Sequence, residues 1–345
     1  MDATERFLNA CYRKPVDRPP VWIMRQAGRY MDSYQAVRKQ HSFMEVCSTP
    51  ELATKVTMMP IDQLEPDAAI LFCDIMVPME AMGLDLDFRP GPHLEPPVRT
   101  AADVAALKVE GVADQLEYVY QAIRSIKSAL DGRVPLLGFA GAPFTLACYS
   151  IEGTTTRHHH EVKRMMIEAP EVLEGLLDKL TRVVIEFLSR QIDAGVQGIQ
   201  IFDTWGGILD EKSWRRFSMK YSTRVFEALA DKHVPRIHYL QNGAHLLGSL
   251  KELPCEVLSV DWRQSLSEVR RAVGPRFALQ GNLDPVLMTS NPETVRAAVK
   301  AFFDDFGSKE GLIVNLGHGI TPDANQAAAK ALVDAVKEFG PRIGQ

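Results

Sequence analysis

The 345-residue chain is 46% hydrophobic and 24% charged, which is typical of a soluble globular enzyme with a substantial core. Its formal net charge of −5 argues against nucleic acid or an anionic membrane as a partner, and no stretch reaches the roughly 18 apolar residues of a membrane-spanning helix. The five cysteines are scattered without a Cys-x-x-Cys pair, which argues against a disulfide framework or a thiolate zinc site and predicts a cytoplasmic location.

Eight short apolar runs predict the strands of a parallel sheet that is buried on both faces. Helix-length amphipathic stretches lie between most of them, among them 114–130, 170–194 and a last helix that opens at Thr321-Pro322-Asp323. This alternation predicts an α/β protein, a single-domain (β/α)8 TIM barrel over residues 1–345, with an N-terminal extension and a proline-rich loop at 90–97. The runs are 20–24, 68–73, 134–140, 198–202, 236–240, 257–260, 277–279 and 311–316.

Two arginines follow the first run, in the segment Arg25-Gln26-Ala27-Gly28-Arg29. In (β/α)8 barrels the chemistry lies at the carboxyl ends of the strands. Arg25 and Arg29 are four residues apart, so they point to the same side if the loop enters a helix at Gln26. Guanidinium groups form paired hydrogen bonds to carboxylates, and Gly28 lets the backbone approach a ligand closely. We predict a grip for a small polycarboxylate; the alternative is a structural salt-bridge pair that closes the barrel.

Polar side chains also follow several other runs. Asp74 ends the second run, where its carboxylate suits a ligand that offers N–H donors or is the N-cap of the next helix. Thr204 follows Asp203 at the end of the fourth run, and Tyr149 is either a hydrogen-bond donor to the pocket or a core residue. His318, between two glycines, is either a donor and proton shuttle or a structural histidine.

The run His158-His159-His160 invites comparison with a zinc site. Consecutive side chains point in different directions, and no carboxylate or cysteine stands at ligand spacing. An exposed loop or helix start is therefore the preferred interpretation.

Two long segments carry a family resemblance. Residues 20–30, Pro-Val-Trp-Ile-Met-Arg-Gln-Ala-Gly-Arg-Tyr, followed by Tyr34, resemble the first signature of the uroporphyrinogen decarboxylase family. Residues 138–149, Gly-Phe-Ala-Gly-Ala-Pro-Phe-Thr-Leu-Ala-Cys-Tyr, resemble the second signature. Stretches 71–75, 203–207, 280–285 and 315–320 agree in the same order, so the resemblance covers essentially the whole chain.

The resemblance implies a barrel enzyme of the tetrapyrrole (haem) pathway that works in the cytosol as a homodimer, without metal or organic cofactor. Its reaction converts the four acetate side chains of uroporphyrinogen to methyl groups, which gives coproporphyrinogen and CO2. Asp74 is then the transition-state stabiliser, and Arg25 and Arg29 share in catalysis. By motif position, the substrate-contacting residues are Arg25, Gln26, Ala27, Gly28, Arg29, Asp74, Tyr149, Thr204 and His318.

The chain departs from the family pattern at three places. Cys73 stands where the family commonly has serine. Residues 153–157, Gly-Thr-Thr-Thr-Arg, replace a Gly-Gly-Ser-Lys stretch, and Arg157 can supply the missing cation if that loop touches a carboxylate. The segment Gln241-Asn242-Gly243 lacks an expected lysine. These departures concern the rim of the predicted cleft.

Three other classes compete with this interpretation. A zinc-dependent, cobalamin-linked methyltransferase on the same scaffold needs a thiolate zinc site, but the fifth run reads His238-Tyr239-Leu240 and Cys255 has no partner at useful spacing. A Schiff-base aldolase or sugar-phosphate isomerase is disfavoured because no run ends in lysine. The convergent polar strand ends weigh against a non-enzymatic binding role.

Overall fold

The computed structural model describes residues 1–88, 91–156 and 158–343 of the chain. Its main sheet contains seven parallel strands in the spatial order β1-β4-β5-β6-β7-β8-β9, and a separate antiparallel pair is formed by β2 and β3. The strands are β1 (Ala69–Ile70), β2 (Asp85–Phe88), β3 (Pro92–Glu95), β4 (Leu136–Gly141), β5 (Gly198–Asp203), β6 (Arg236–Leu240), β7 (Val257–Val260), β8 (Ala278–Leu283) and β9 (Leu312–Leu316).

Helices connect successive strands of this sheet and cover its outer face. Among the described residues, no helix is both long and apolar enough to cross a membrane. The helices are α1 (Ala3–Cys11), α2 (Asp32–Arg38), α3 (Phe43–Ser48), α4 (Pro50–Leu64), α5 (Val77–Ala81), α6 (Ala101–Ala106), α7 (Val112–Gln115), α8 (Glu117–Leu130), α9 (Pro143–Glu152), α10 (His160–Glu168), α11 (Pro170–Ala194), α12 (Glu211–Trp214), α13 (Lys220–Ala228), α14 (Leu247–Leu250), α15 (Leu266–Val273), α16 (Pro292–Phe306) and α17 (Gln326–Phe339).

The segment 20–24 closes the sheet between β9 and the start of β1. Trp22 N–H donates to the Val314 carbonyl, and Asp67 N–H donates to the Val21 carbonyl. Its contact with β9 is a single parallel bridge, so the predicted first strand is an extended closing segment rather than a full strand. The reason lies in its N–H groups, because those of Val21 and Met24 donate to the side chains of Asp67 and Asn315 instead of to a neighbouring strand.

Asp67 fixes this closing segment in place. Its carboxylate is 4% exposed and accepts hydrogen bonds from Val21 N–H at 2.9 Å, from Arg6 at 3.0 Å and from Arg18 at 2.7 Å. Arg6 lies on α1 and also pairs with Asp17 at 2.7 Å. Helix α1 thereby packs across the amino end of the barrel, where Phe7, Ala10 and Cys11 join the core. This arrangement is the predicted N-terminal extension.

The barrel interior has an apolar base with a polar layer above it. One apolar cluster receives side chains from α1, the closing segment and most of the strands, including Trp22, Leu137, Ile237, Val257, Ala278 and Ile313. Within it, Gln280 Nε2 donates to Gln200 Oε1 at 2.9 Å and to Ser259 Oγ at 3.0 Å, and the Trp22 indole donates to Gln280 Oε1. These hydrogen bonds satisfy the Gln280 amide, the Trp22 indole and the Gln200 oxygen, which lowers the cost of burying them, while the Gln200 Nε2 has no partner in the described chain.

Several predicted elements differ in detail from the observed ones. The helix predicted over 114–130 breaks at Leu116 into α7 and α8, and the last helix begins at Gln326 with Asn325 as its N-cap, after the predicted start at Thr321. In the predicted proline-rich loop, Pro92–Glu95 forms β3, which tolerates proline because it pairs with one strand only. Pro90 lies outside the described residues. The helix predicted over 170–194 coincides with α11.

We expect Asp67→Ala to destabilise the protein by about 3–5 kcal/mol, because it leaves the largely buried guanidinium group of Arg18 without a carboxylate and that of Arg6 with Asp17 alone. Urea unfolding followed by circular dichroism measures the loss. The matched control is Asp62→Ala, which removes the exposed Arg133–Asp62 pair and is expected to cost less than about 1 kcal/mol. Equal midpoints for the two variants contradict the assigned role of Asp67.

Candidate active site at the carboxyl ends of the strands

The loop after the closing segment is held by the side chain of Gln26. That side chain is buried, accepts a hydrogen bond from Ile23 N–H at 3.2 Å and donates to the Ala68 carbonyl at 3.1 Å. Arg25 has a left-handed backbone with φ of 63°, and the following residues form turns until α2 begins at Asp32. No helix starts at Gln26, which was the condition for Arg25 and Arg29 to point to the same side, because this side chain holds the backbone in a turn.

The Arg25 side chain occupies a central position above the barrel. It lies against Gly319, where an added Cβ would stand 2.3 Å from Arg25 Cδ. Its charge acts on Asp74 after β1, Tyr149 on α9, Tyr239 in β6 and His318 after β9. Within the described residues, neither Arg25 nor Arg29 has a carboxylate partner for its guanidinium group. The alternative, in which the two arginines form structural salt bridges, therefore lacks a carboxylate partner in the described chain.

Asp74 stands where β1 leads toward α5, and it is partly exposed. Its Oδ1 accepts a hydrogen bond from Met76 N–H at 2.8 Å, two residues on, while Met76 itself is the N-cap of α5. Removal of water by the surrounding protein raises the pKa of Asp74 above its usual value, and the Met76 N–H and Arg25 oppose this rise. Asp74 thus shapes a local turn and keeps acceptor capacity for a ligand.

His318 lies after β9 beside the Tyr239 ring, with 6.3 Å between the ring centroids. Burial is the first cause, and the Arg25 charge the second, that lower the pKa of His318 to about 4. The imidazole is therefore uncharged at neutral pH and can either donate or accept one hydrogen bond. An uncharged imidazole is compatible with the predicted donor role of His318.

Tyr149 lies on α9, and its ring meets that of Trp205 at a centroid distance of 6.0 Å. Burial raises the pKa of the Tyr149 phenol, the Asp74 charge adds to the rise, and the Arg25 charge opposes it. Tyr149 is partly exposed. It is therefore a wall residue near Asp74 rather than a remote core tyrosine.

At the end of β5, the buried structural carboxylate of Asp203 is followed by a partly exposed residue, Thr204. Asp203 is fully buried and accepts hydrogen bonds from Thr145 at 3.1 Å and from Ser218 at 2.5 Å. Thr145 in turn accepts from the Trp205 N–H at 3.1 Å. Thr204, between Asp203 and Trp205, is partly exposed and belongs to the same strand end. Asp203 therefore fixes the backbone that presents Thr204.

Three ring contacts line the barrel beneath these polar groups. Phe139 meets Phe202 at 5.6 Å, Phe202 meets Tyr239 at 5.7 Å, and Tyr239 meets His318. The Tyr239 hydroxyl donates to the Gly317 carbonyl at 2.9 Å, which anchors the loop that carries His318. The aromatic row supplies an apolar floor, which complements the charged groups above it.

Sequence reasoning missed this aromatic row and the cation of Arg263. Arg263 pairs with Asp261 at 2.6 Å, stacks on Trp262 and acts electrostatically on His318. The row had a weak signal, since Phe139, Phe202 and Tyr239 all occur within predicted strands. Arg263 is the third residue after the run 257–260, but no motif includes it, so the sequence did not single it out.

The remaining predicted positions have simpler surroundings. Ala27 and Gly28 are partly exposed in the arginine loop, and Arg29 is exposed. Ligand contact by these residues stays a prediction. The same holds for Gln26, whose side-chain amide is hydrogen-bonded to backbone groups of the protein. Arg157 lies outside the described residues. In the described ranges no group of three histidine, cysteine, aspartate or glutamate side chains is placed to hold a metal ion.

Comparison with solved structures supports the barrel fold. The chain superposes on a methyltransferase from Methanosarcina mazei with a TM-score of 0.85, which covers 98% of this chain and 99% of that one at 22% identity. A putative vitamin-B12-independent methionine synthase from Listeria monocytogenes gives a TM-score of 0.57 at 11% identity, with 95% and 97% coverage. At these identities the likeness concerns the fold alone.

Comparison of sequences is more specific. The profile of the uroporphyrinogen decarboxylase (URO-D) family matches residues 2–339. The chain is 47% identical to uroporphyrinogen decarboxylase from Syntrophotalea carbinolica over 96% of both chains, and 46% identical to that from Geobacter metallireducens over 98% of this chain and 99% of the other. With this extent of agreement, the chain belongs to the uroporphyrinogen decarboxylase family.

Proposed function

We propose that this protein is a carboxy-lyase that removes the acetate carboxyl groups of uroporphyrinogen III, in tetrapyrrole biosynthesis, and releases coproporphyrinogen III and four CO2. The observation that carries the proposal is the partly exposed carboxylate of Asp74 in the electrostatic field of Arg25, whose guanidinium has no carboxylate partner in the described chain. Close relatives that bear the decarboxylase name over nearly their whole length support it.

The substrate offers groups that match this arrangement. Its macrocycle directs four pyrrole N–H donors toward the centre and carries eight carboxylates at its edge. An ionised aspartate has about four lone-pair sites, of which the Met76 N–H takes one at Asp74. The remaining sites can accept pyrrole N–H groups, while Arg25 and Arg29 bind peripheral carboxylates by charge-assisted hydrogen bonds. Phe202, the partly exposed member of the ring row with Phe139 and Tyr239, offers an apolar surface to the macrocycle.

The reaction needs an electron sink, and the pyrrole itself can supply one. A proton added to the ring carbon next to the one that bears the acetate makes the pyrrole a cation that is electron-deficient at the acetate-bearing carbon. The bond between the acetate methylene and its carboxyl carbon then breaks, CO2 leaves, and the electron pair forms an exocyclic double bond to the ring. Protonation of the exocyclic methylene and loss of the proton first added to the ring complete the methyl group and restore the pyrrole. Asp74 faces the positive charge that develops and stabilises it in a partly dry site.

The proton donor is a separate question. A guanidinium group is a poor free acid because its ordinary pKa is above about 12. The raised pKa of the Tyr149 phenol and the lowered pKa of His318, about 4, leave one side chain a weak acid and the other without its extra proton at neutral pH. We therefore infer that a water or a substrate carboxyl group held by Arg25 delivers the proton.

We further propose that the enzyme works in the cytoplasm as a homodimer whose two clefts face each other, as the family resemblance implies. Analytical ultracentrifugation of the purified protein tests the assembly. A sedimentation coefficient that corresponds to a 38.5 kDa monomer across the working concentration range contradicts the dimer.

The direct test of the function is anaerobic incubation of the purified protein with uroporphyrinogen III. We expect heptacarboxylate to tetracarboxylate products to appear in succession by chromatography, without added metal or organic cofactor. Absence of any product with substrate that a known decarboxylase does convert would falsify the proposed activity.

Asp74→Asn is expected to lower kcat on the order of 10²–10³-fold, because it removes the negative charge that faces the pyrrole cation. The asparagine oxygen still accepts the Met76 N–H, so the turn and the melting temperature are retained. Asp74→Gly, which removes both functions, is expected to lose the rate and also some stability. Turnover near the unsubstituted level in Asp74→Asn rules out the electrostatic role.

Arg29→Ala is expected to raise KM roughly 10-fold, equivalent to about 1.4 kcal/mol of binding, because one carboxylate loses its cation. The exposed side chain has no ion-pair partner within the described chain, so the unfolding free energy should change by less than about 0.5 kcal/mol. Arg271→Ala on α15, also exposed, is the charge-matched control and should leave KM unchanged. An unfolded Arg29→Ala protein indicates a structural role instead.

A further inference from the structure

The middle residue of the triple-histidine run is buried. His159 is 3% exposed, whereas His158 and His160 are exposed. It has a left-handed backbone, φ of 50°, immediately before α10, and neither of its ring nitrogens has a hydrogen-bond partner in the described chain. The expected helix start is confirmed, but the expectation of exposure is wrong for His159, which is held by packing rather than by hydrogen bonds.

His159 packs on the tryptophan that borders the cleft. The ring centroids of His159 and Trp205 are 4.5 Å apart, and those of Trp205 and Tyr149 are 6.0 Å apart. Thr145 fixes the Trp205 backbone by accepting a hydrogen bond from its N–H. The Trp205 ring contacts the ring of His159 and the ring of Tyr149. We call this series the three-ring contact of His159, Trp205 and Tyr149.

The far end of the three-ring contact reaches the reacting groups. The charges of Asp74 and Arg25 both act on the Tyr149 phenol. The Trp205 indole N–H has no hydrogen-bond partner within the described chain, so the link from Trp205 to Tyr149 is the contact of their rings. A shift of the Trp205 ring would move the surface against which the tyrosine ring rests.

The charge state of His159 suits a packing role. Burial, followed by the charges of Lys163 and His158, lowers the pKa of His159 to about 4. The ring is therefore an uncharged aromatic surface at neutral pH, and a neutral aromatic residue can replace it.

We propose that His159 is a positioning residue for decarboxylation, which acts through Trp205 to hold Tyr149 at the wall of the cleft beside Asp74. This inference rests on the proposed function. His159 itself does not touch the substrate, so its removal affects the orientation of Tyr149 more than the binding of the macrocycle, which depends on the arginines and Asp74.

The first test compares substitutions of the three histidines. His159→Ala should lower kcat roughly 10-fold and change KM by less than about 2-fold, since a misplaced group near the reacting atoms costs rate more than ground-state binding. His159→Phe keeps a ring against Trp205 and should restore kcat to within about 3-fold of the unsubstituted protein. His158→Ala and His160→Ala are the matched controls and should leave both constants unchanged.

A double-mutant cycle with Tyr149→Phe identifies the route of the effect. If His159 acts through the Tyr149 hydroxyl, His159→Ala should cost less than about 2-fold in the Tyr149→Phe background, because coupled residues are not additive. Near-ultraviolet circular dichroism should report the Trp205 environment, altered in His159→Ala and restored in His159→Phe. If His159→Ala fails to fold, His159→Leu keeps the volume without a ring and replaces it in both comparisons.

The outcomes separate this inference from the proposed function. An unsubstituted protein that fails to decarboxylate uroporphyrinogen overturns the function, and the positioning role with it. An active unsubstituted protein in which His159→Ala keeps its kcat, or in which the two substitutions are fully additive, overturns the positioning role alone.

Discussion

Closure of the barrel depends on one buried carboxylate. The closing segment reaches β9 through a single bridge, so the usual ladder of strand hydrogen bonds is too short to fix it. Asp67 supplies the missing constraint by accepting the Val21 N–H and two arginines from the N-terminal region. Arg25 follows this segment immediately. The position of the central cation of the cleft therefore depends on an ionic network at the opposite end of the barrel.

The cleft itself depends on an imbalance of charge. Arg25 and Arg29 lack carboxylate partners in the described chain, Asp74 remains partly exposed, and His318 carries no charge at neutral pH. In a protein with a net charge of −5, such local cations are needed to hold an anionic ligand against the overall field. The partly exposed Phe202 of the aromatic row beneath them adds an apolar surface, so a many-charged macrocycle finds matching chemistry in both layers.

Much of this architecture could be predicted from sequence because parallel barrel strands are continuous apolar runs. The runs at 236–240 and 257–260 coincide with β6 and β7. The first run was harder, because whether an N–H donates to a strand or to a distant side chain such as Asp67 is a tertiary property. The site residues came from local motifs, so His159 and Arg263 were not assigned a role. Their environments are created by residues far along the chain, Trp205 and Asp261.

Arg25 is held against Gly319 by contact rather than by an ion pair, and this bears on how a ligand leaves the cleft. A carboxylate that enters does not have to displace an internal carboxylate partner from the described chain. Each proposed turnover, however, removes one negative charge from the ligand and none from the protein. The Coulomb attraction to the guanidinium groups therefore weakens step by step, from eight carboxylates to four. Release of the fully processed ring is then favoured by the chemistry that produced it.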